Sequence, residues 1–117
     1  MLYYDFEAGN NAYKLRLNVR NIVSLEKSLG CNPLMIFGEG ERVPTVTEMV
    51  AILHNSLQTY HHGVTLDKAY DIFEAYLNEE HQLTDFIPVI VGVYRVSGIM
   101  KPQKKTDTEE TEDNEKN

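Results

Sequence analysis

The sequence predicts an α+β domain that is mostly α-helical, in which an N-terminal two-stranded β-hairpin packs on a small bundle of four to five helices. Several segments repeat apolar residues at intervals of three and four, the spacing of one helix face, and capping residues bound them. Two short Tyr-, Phe- and Leu-rich runs precede these segments, separated by residues that tolerate a positive φ. A chain of 117 residues supports one core, so a single globular domain is expected over residues 1–100.

The hairpin is predicted over residues 2–17, with its turn in the Gly-Asn-Asn sequence at residues 9–11. After the turn, polar and apolar side chains alternate, so Tyr13, Leu15 and Leu17 share one face. A two-stranded hairpin is only marginally stable alone. We therefore expect this face to pack on the helices.

The first helix is predicted over residues 19–29. The side chain of Asn18 can cap its first turn, and Gly30 supplies the left-handed conformation that ends many helices. A brief helical segment is expected over residues 33–37, where an Asn-Pro pair provides a cap and a first-turn proline.

Two longer helices are predicted over residues 46–61 and 66–79. Thr45 and Glu48 form a capping-box pattern at the start of the first. The connection around Gly63 is short, so the two helices are expected to form an antiparallel pair.

Apolar stripes at helical spacing are stabilised by burial, and this predicts the core. The side chains expected inside are Val19, Ile22, Leu25, Leu29, Met49, Leu53, Leu57, Phe73 and Leu77. The stripe of the helix at residues 66–79 also includes Leu66 and Tyr70.

The segment at residues 85–98 is ambiguous. The run Val89–Tyr94 has the composition of a strand, whereas Thr84 and Asp85, placed before Pro88, are typical of a helix start. Its length and its cap favour a helix, and the strand stays as the alternative.

Composition limits the classes of function. The net charge of -7 argues against nucleic-acid binding, because residues 1–100 hold seven Lys and Arg against twelve Asp and Glu and show no basic patch. The longest apolar run, Phe86–Tyr94, is less than half of the ~20 residues that span a bilayer, so no membrane segment is expected. The first residues lack the pattern of a signal peptide. A single cysteine, Cys31, fits a reducing compartment, and the cytoplasm is the default.

No catalytic residue, metal site or cofactor site is predicted. His54 and His61 are seven residues apart, about 11 Å along a helix, which is too far to share one ion. Asp67, Asp71 and Glu74 share one helix face, but no second cluster of ligands accompanies them, so a solvated acidic face is favoured over a cation or acid–base site.

The order and spacing of these elements resemble the tail assembly chaperones of long-tailed, siphovirus-like bacteriophages, and are similar also to gene transfer agent tail proteins. The resemblance covers most of residues 1–100. It is carried by Tyr13–Leu17, Ile22–Gly30, Asn32–Leu34, Val46–Tyr60 and Leu66–Leu77.

This resemblance implies a non-enzymatic assembly factor. Such a factor binds the tape measure protein, and also the tail tube protein, in the host bacterial cytoplasm and is absent from the mature virion. Self-association stays open. In many relatives a programmed frameshift adds a second domain, and the Lys104-Lys105 pair could be encoded by the adenine run that such slippage uses.

Two rival functions stay open. A small structural virion protein, such as a tail or head-completion component, would have the same size and charge. A helical regulatory protein that binds DNA is disfavoured by the acidic balance and the lack of a basic recognition helix.

The segment at residues 85–98 is the candidate client-binding site, because it is apolar on nearly every side of a helix. The candidate residues are Phe86, Ile90, Val93 and Tyr94. The alternative is a central, fully buried helix.

The C-terminal residues 101–117 are predicted to be a disordered, charged tail. No apolar residue occurs after Met100, so the segment cannot offset the entropy of ordering. We expect it to be dispensable for folding.

Overall fold

The computed structural model describes residues 2–38, residue 40 and residues 42–101. It consists of an antiparallel hairpin followed by helices, which confirms the α+β, mostly helical fold. The elements are β1 (Tyr4–Ala8), β2 (Asn11–Leu15), α1 (Val19–Leu29), a first 3₁₀ helix (Pro33–Phe37), α2 (Val46–Leu57), α3 (Leu66–Asn78), a second 3₁₀ helix (Leu83–Asp85) and α4 (Phe86–Val96). The disorder predicted for the tail and the frameshift site at Lys104-Lys105 lie outside the described residues.

The hairpin has the register that its sequence pattern requires. Tyr4 pairs with Leu15 and Phe6 pairs with Tyr13. The turn is formed by Gly9 and Asn10, which have φ values of 58° and 65°. Two left-handed residues in succession match the right-handed twist of the flanking strands. Phe6 and Leu15 are buried, so the apolar face packs on the helices as expected.

The predicted caps are present. The side chain of Asn18 accepts the backbone N–H of Asn21 at 2.8 Å, and Thr45 and Glu48 satisfy each other's backbone N–H groups. Gly30 ends α1 with a φ of 74°. These caps set the helix starts by local hydrogen bonding, so they could be inferred without knowledge of the fold.

Helix α2 is shorter than predicted and ends at Leu57. The side-chain amide of Gln58 donates to the carbonyl of His54 at 2.9 Å and to that of Val64 at 2.7 Å. A continuing helix would give the His54 carbonyl to the backbone N–H of Gln58. The side chain of Gln58 therefore takes over the bond that would extend the helix.

Eight of the nine predicted core positions are buried or packed against the core, and Val19 is not. Leu25, Met49, Leu53, Leu57 and Phe73 are buried, and the remaining three, Ile22, Leu29 and Leu77, are partly buried. Val19 is 76% exposed. It lies six residues before Leu25, about 120° around the helix from that buried side chain, so it faces solvent.

The edge of the hairpin is closed by residues at and beyond the C-terminal end of α2. The backbone N–H of Lys14 donates to Nε2 of His61 at 2.9 Å, and the backbone N–H of Arg16 donates to the carbonyl of Ser56 at 2.9 Å. The Thr59 hydroxyl donates to the carbonyl of Arg16 at 3.0 Å. Backbone groups that an edge strand leaves unpaired are thus satisfied.

Helix α4 approaches the hairpin closely at Gly92. A Cβ atom at Gly92 would overlap the ring of Tyr4, whose Cζ would lie 3.2 Å away. In an exposed helix, replacement of glycine by alanine stabilises by about 1 kcal/mol, but overpacking costs about 1–3 kcal/mol. We expect Gly92→Ala to lower the free energy of unfolding measured in urea.

A double-mutant cycle with Tyr4→Ala is the control, because contacting residues show coupling. In the Tyr4→Ala background the ring is gone, and Gly92→Ala is expected to be neutral or stabilising. A Gly92→Ala protein as stable as the wild type would contradict the close contact.

The stability that the His61 contact gives to the fold is expected to depend on pH. Burial lowers the pKa of His61, and the charge of Lys14 lowers it further. Only the neutral imidazole has a free Nε2 to accept the Lys14 N–H. The unfolded chain therefore binds the proton more readily than the folded one, and the stability from this contact is present above about pH 6.5 and is lost as the pH falls through the lowered pKa.

We expect His61→Gln, which keeps an acceptor and does not titrate, to flatten the change in the free energy of unfolding between about pH 7.5 and about pH 5.5. His62→Gln is the matched control, since His62 is exposed. Urea denaturation at several pH values makes the comparison. The same slope in His61→Gln and wild type would refute the assignment.

Candidate functional site

The four residues predicted to bind a client are all in the core. Phe86, Ile90, Val93 and Tyr94 are each at most 1% exposed. The Phe86 ring packs edge-to-face on Phe73, with ring centroids 5.1 Å apart. The helix predicted over residues 85–98 is present as α4, and these four side chains are covered in the structure. Their use as a client surface stays a prediction. The alternative was a fully buried helix, and α4 matches it in part, because five of its eleven residues are buried, five are partly buried and Pro88 is exposed.

Tyr94 shows why α4 is covered. Its hydroxyl donates to the carbonyl of Pro33 at 3.0 Å, and its ring lies 6.2 Å from that of Phe37, so the first 3₁₀ helix closes over it. Burial raises the pKa of Tyr94. The hairpin and α2 also contact α4, and of its own residues only Pro88 is exposed.

An open groove crosses the outer surface of α2, between α1 and α3. Its volume is about 320 Å³. We call it the α2 groove, and it is lined by Ser28, Thr47, Ala51, His54, Leu66 and Tyr70. Each of the three helices contributes at least one residue.

The floor of the α2 groove is one row of α2. Thr47, Ala51 and His54 are spaced by four and three residues, so their side chains stand above one another on a single helix face. The opposite face of α2 buries Met49 and Leu53 in the core. Small side chains at two of the three floor positions leave the backbone of α2 close to the surface.

The apolar wall of the groove comes from α3. Leu66 is 46% exposed and Tyr70 is 43% exposed, although both belong to the stripe predicted to be buried. Residues Ala69, Phe73 and Tyr76 take the core-facing side of α3 instead. Leu66 and Tyr70 therefore border the groove with apolar surface that the fold itself does not cover. Across the groove, Ser28 of α1 forms an uncharged wall.

The histidines and the cysteine have separate positions. His54 lines the groove, whereas His61 accepts a hydrogen bond from the hairpin. Cys31 is a half-buried free thiol. Within residues 2–38, 40 and 42–101, no group of three or more His, Cys, Asp or Glu side chains is arranged to hold a metal ion. None of the helices in those ranges is long and apolar enough to cross a membrane.

The fold is that of a small α+β domain with an open, partly apolar groove on its helices. A family of unknown function, DUF6096, matches residues 5–116. The chain belongs to this family. No curated protein and no solved structure matches it.

Proposed function

We propose that this protein is a phage tail assembly chaperone. It binds the tape measure protein, and also the tail tube protein, while the tail is being built in the host bacterial cytoplasm, and it is left out of the mature virion. It does so by reversible binding, without catalysis.

The observation that carries this proposal is the α2 groove. The three helices that form the groove, α1, α2 and α3, are among the segments that carry the resemblance to tail assembly chaperones. Helix α3 exposes the apolar side chains of Leu66 and Tyr70 along the groove, whereas in α4 only Pro88 is exposed. A client therefore has an accessible apolar surface on the part of the chain that resembles the chaperones.

The shape of the groove favours a helical client. In helix-in-groove recognition, an amphipathic helix inserts residues spaced by three and four into an apolar groove. Helix axes that pack in this way are about 8–10 Å apart, so small floor residues help the partner to approach. Thr47 and Ala51 provide such a floor, and Leu66 and Tyr70 provide apolar contacts.

A chaperone must cover an apolar client face and later release it. The exposed apolar wall consists of two side chains, Leu66 and Tyr70, each about half exposed. Contacts of this size suit reversible binding, because standard stable interfaces bury about 1,600 Å². The groove can then cover the apolar face of the client until other tail proteins take the place of the chaperone.

The test is co-expression with the tape measure protein encoded in the same genome, followed by affinity capture. Tyr70→Ala is expected to weaken capture at least about tenfold, because a tyrosine in a docking pocket is a frequent hot spot. Ala51→Arg, which fills the groove, is expected to abolish capture. Circular dichroism checks that each variant is folded.

Matched controls use the same substitutions elsewhere. Tyr60→Ala removes a tyrosine that is 40% exposed outside the groove, and Ala12→Arg adds the same charge on the hairpin. Both are expected to keep binding. Full capture by folded Ala51→Arg and Tyr70→Ala would remove the groove as the client site. Failure of the wild type to capture either tail protein, with the protein present in purified particles, would favour the structural virion component.

A further inference from the structure

The exposed face of α3 next to the apolar wall of the α2 groove is acidic, and we call it the acidic rim. Glu74 follows Leu66 and Tyr70 in the same row of α3, four residues apart at each step, and Asp67 and Asp71 occupy the adjacent row toward solvent. All three carboxylate side chains belong to exposed residues. The apolar wall is thus bordered on its outer side by three negative charges within about two helix turns, or ~11 Å.

The opposite rim belongs to α1 and has no carboxylate among the groove-lining residues, but the exposed cation Lys27 is adjacent to Ser28 in the sequence. Ser28 lines it, and its hydroxyl donates to the carbonyl of Ser24 at 3.2 Å, one turn earlier. The two edges of a helix lying in the groove would therefore meet different surroundings. The edge beside α3 would run along the carboxylates, and the edge beside α1 would meet Ser28 with the cation Lys27 next to it.

The acidic rim disfavours two occupants that the chain itself could supply. Residues 102–117 contain no apolar side chain to fill the groove and hold six Asp and Glu against three Lys. In a symmetric dimer the same patch meets itself, which would bring the carboxylates of two α3 helices together. Like charges at an interface are unfavourable.

We propose that the α2 groove selects an amphipathic helix whose apolar stripe is bordered by Lys or Arg on the edge that lies against α3. This inference rests on the proposed function and specifies the chemistry of the client. Asp67, Asp71 and Glu74 recur at intervals of four and three. Cations with the same spacing on a helix that lies alongside α3 would therefore be at matching heights along the two helix axes and could pair with them. The apolar contacts supply affinity, and the charged rim selects among apolar helices.

The strength of this selection depends on salt. All three carboxylates are exposed, so their interaction with cations is screened over about 10 Å at 0.1 M salt. We expect a preference of about tenfold at low ionic strength that shrinks toward equality as salt rises. The apolar part of the binding is expected to persist.

Two synthetic peptides test the inference with the full-length protein. Both are helices of about 18 residues, or ~27 Å, with the same leucine stripe, and they differ only in carrying Lys or Glu at the positions along one edge. Fluorescence anisotropy measures each affinity at about 20 mM and about 300 mM salt. Tighter binding of the Lys-edged peptide at low salt is expected.

Two double variants separate the rim from the net charge. Asp71→Asn with Glu74→Gln removes two rim charges and is expected to abolish most of the preference. Asp5→Asn with Glu26→Gln removes the same net charge from exposed positions on β1 and α1. This variant is expected to retain the preference for the Lys-edged peptide.

Three results would overturn the inference. These are equal affinity for the two peptides at low salt, an equal loss of preference in both double variants, or no binding of either peptide. None of them contradicts the proposed function, which is judged by capture of the tape measure protein itself. Conversely, a Lys-edged preference without capture of any tail protein would refute the proposed function and leave the selectivity of the groove established.

Discussion

The burial of α4 is the constraint on which the rest of the structure depends. This helix is apolar on almost every side, so most of its surface must be kept from water. The hairpin covers it through the contact of Tyr4 with Gly92, and the first 3₁₀ helix covers it through Pro33 and Tyr94. A larger side chain at Gly92 would hold the hairpin away from the helix, so the close packing of the two depends on that glycine.

The same constraint determines which surface is left for a partner. Helix α2 packs on α4 with one face and contacts α1 and α3 at its sides. Beyond its first turn, where Val46 is also exposed, its outer row is the part that stays accessible. That row, Thr47, Ala51 and His54, lies at the bottom of the groove between its neighbours. The α2 groove is thus a consequence of placing α2 between two helices and above α4.

Much of the fold could be predicted from local chemistry. The caps at Asn18 and Thr45, the stop at Gly30 and the alternation in the hairpin each depend on a few neighbouring residues, and each is present in the structure. The bounds were less accurate where a side chain competes with the backbone, as Gln58 does at the end of α2. That competition depends on the carbonyl of Val64, which comes close to the Gln58 side chain only once the turn after α2 has formed.

The candidate site could not be predicted in the same way. A helix that is apolar all round fits both a buried centre and a binding surface, and only the three-dimensional packing shows whether its side chains are covered, as those of Phe86 and Val93 are. The groove is equally hidden in the sequence, because its floor residues are small or polar and form no apolar stripe. The one available signal was the row Thr47, Ala51 and His54, spaced by four and three along a helix whose other face is apolar.

Methyl NMR of the full-length protein, with and without a helical fragment of the tape measure protein, tests most directly whether the client binds in the groove while α4 stays inside. The resonances of Ala51 and Leu66 are expected to shift as the fragment is added, because these side chains line the groove. Those of Ile90 and Val93 are expected to stay unchanged, because these side chains are buried. Large shifts at Ile90 and Val93, with Ala51 and Leu66 unaffected, would show that α4 opens to bind the client and would contradict this account.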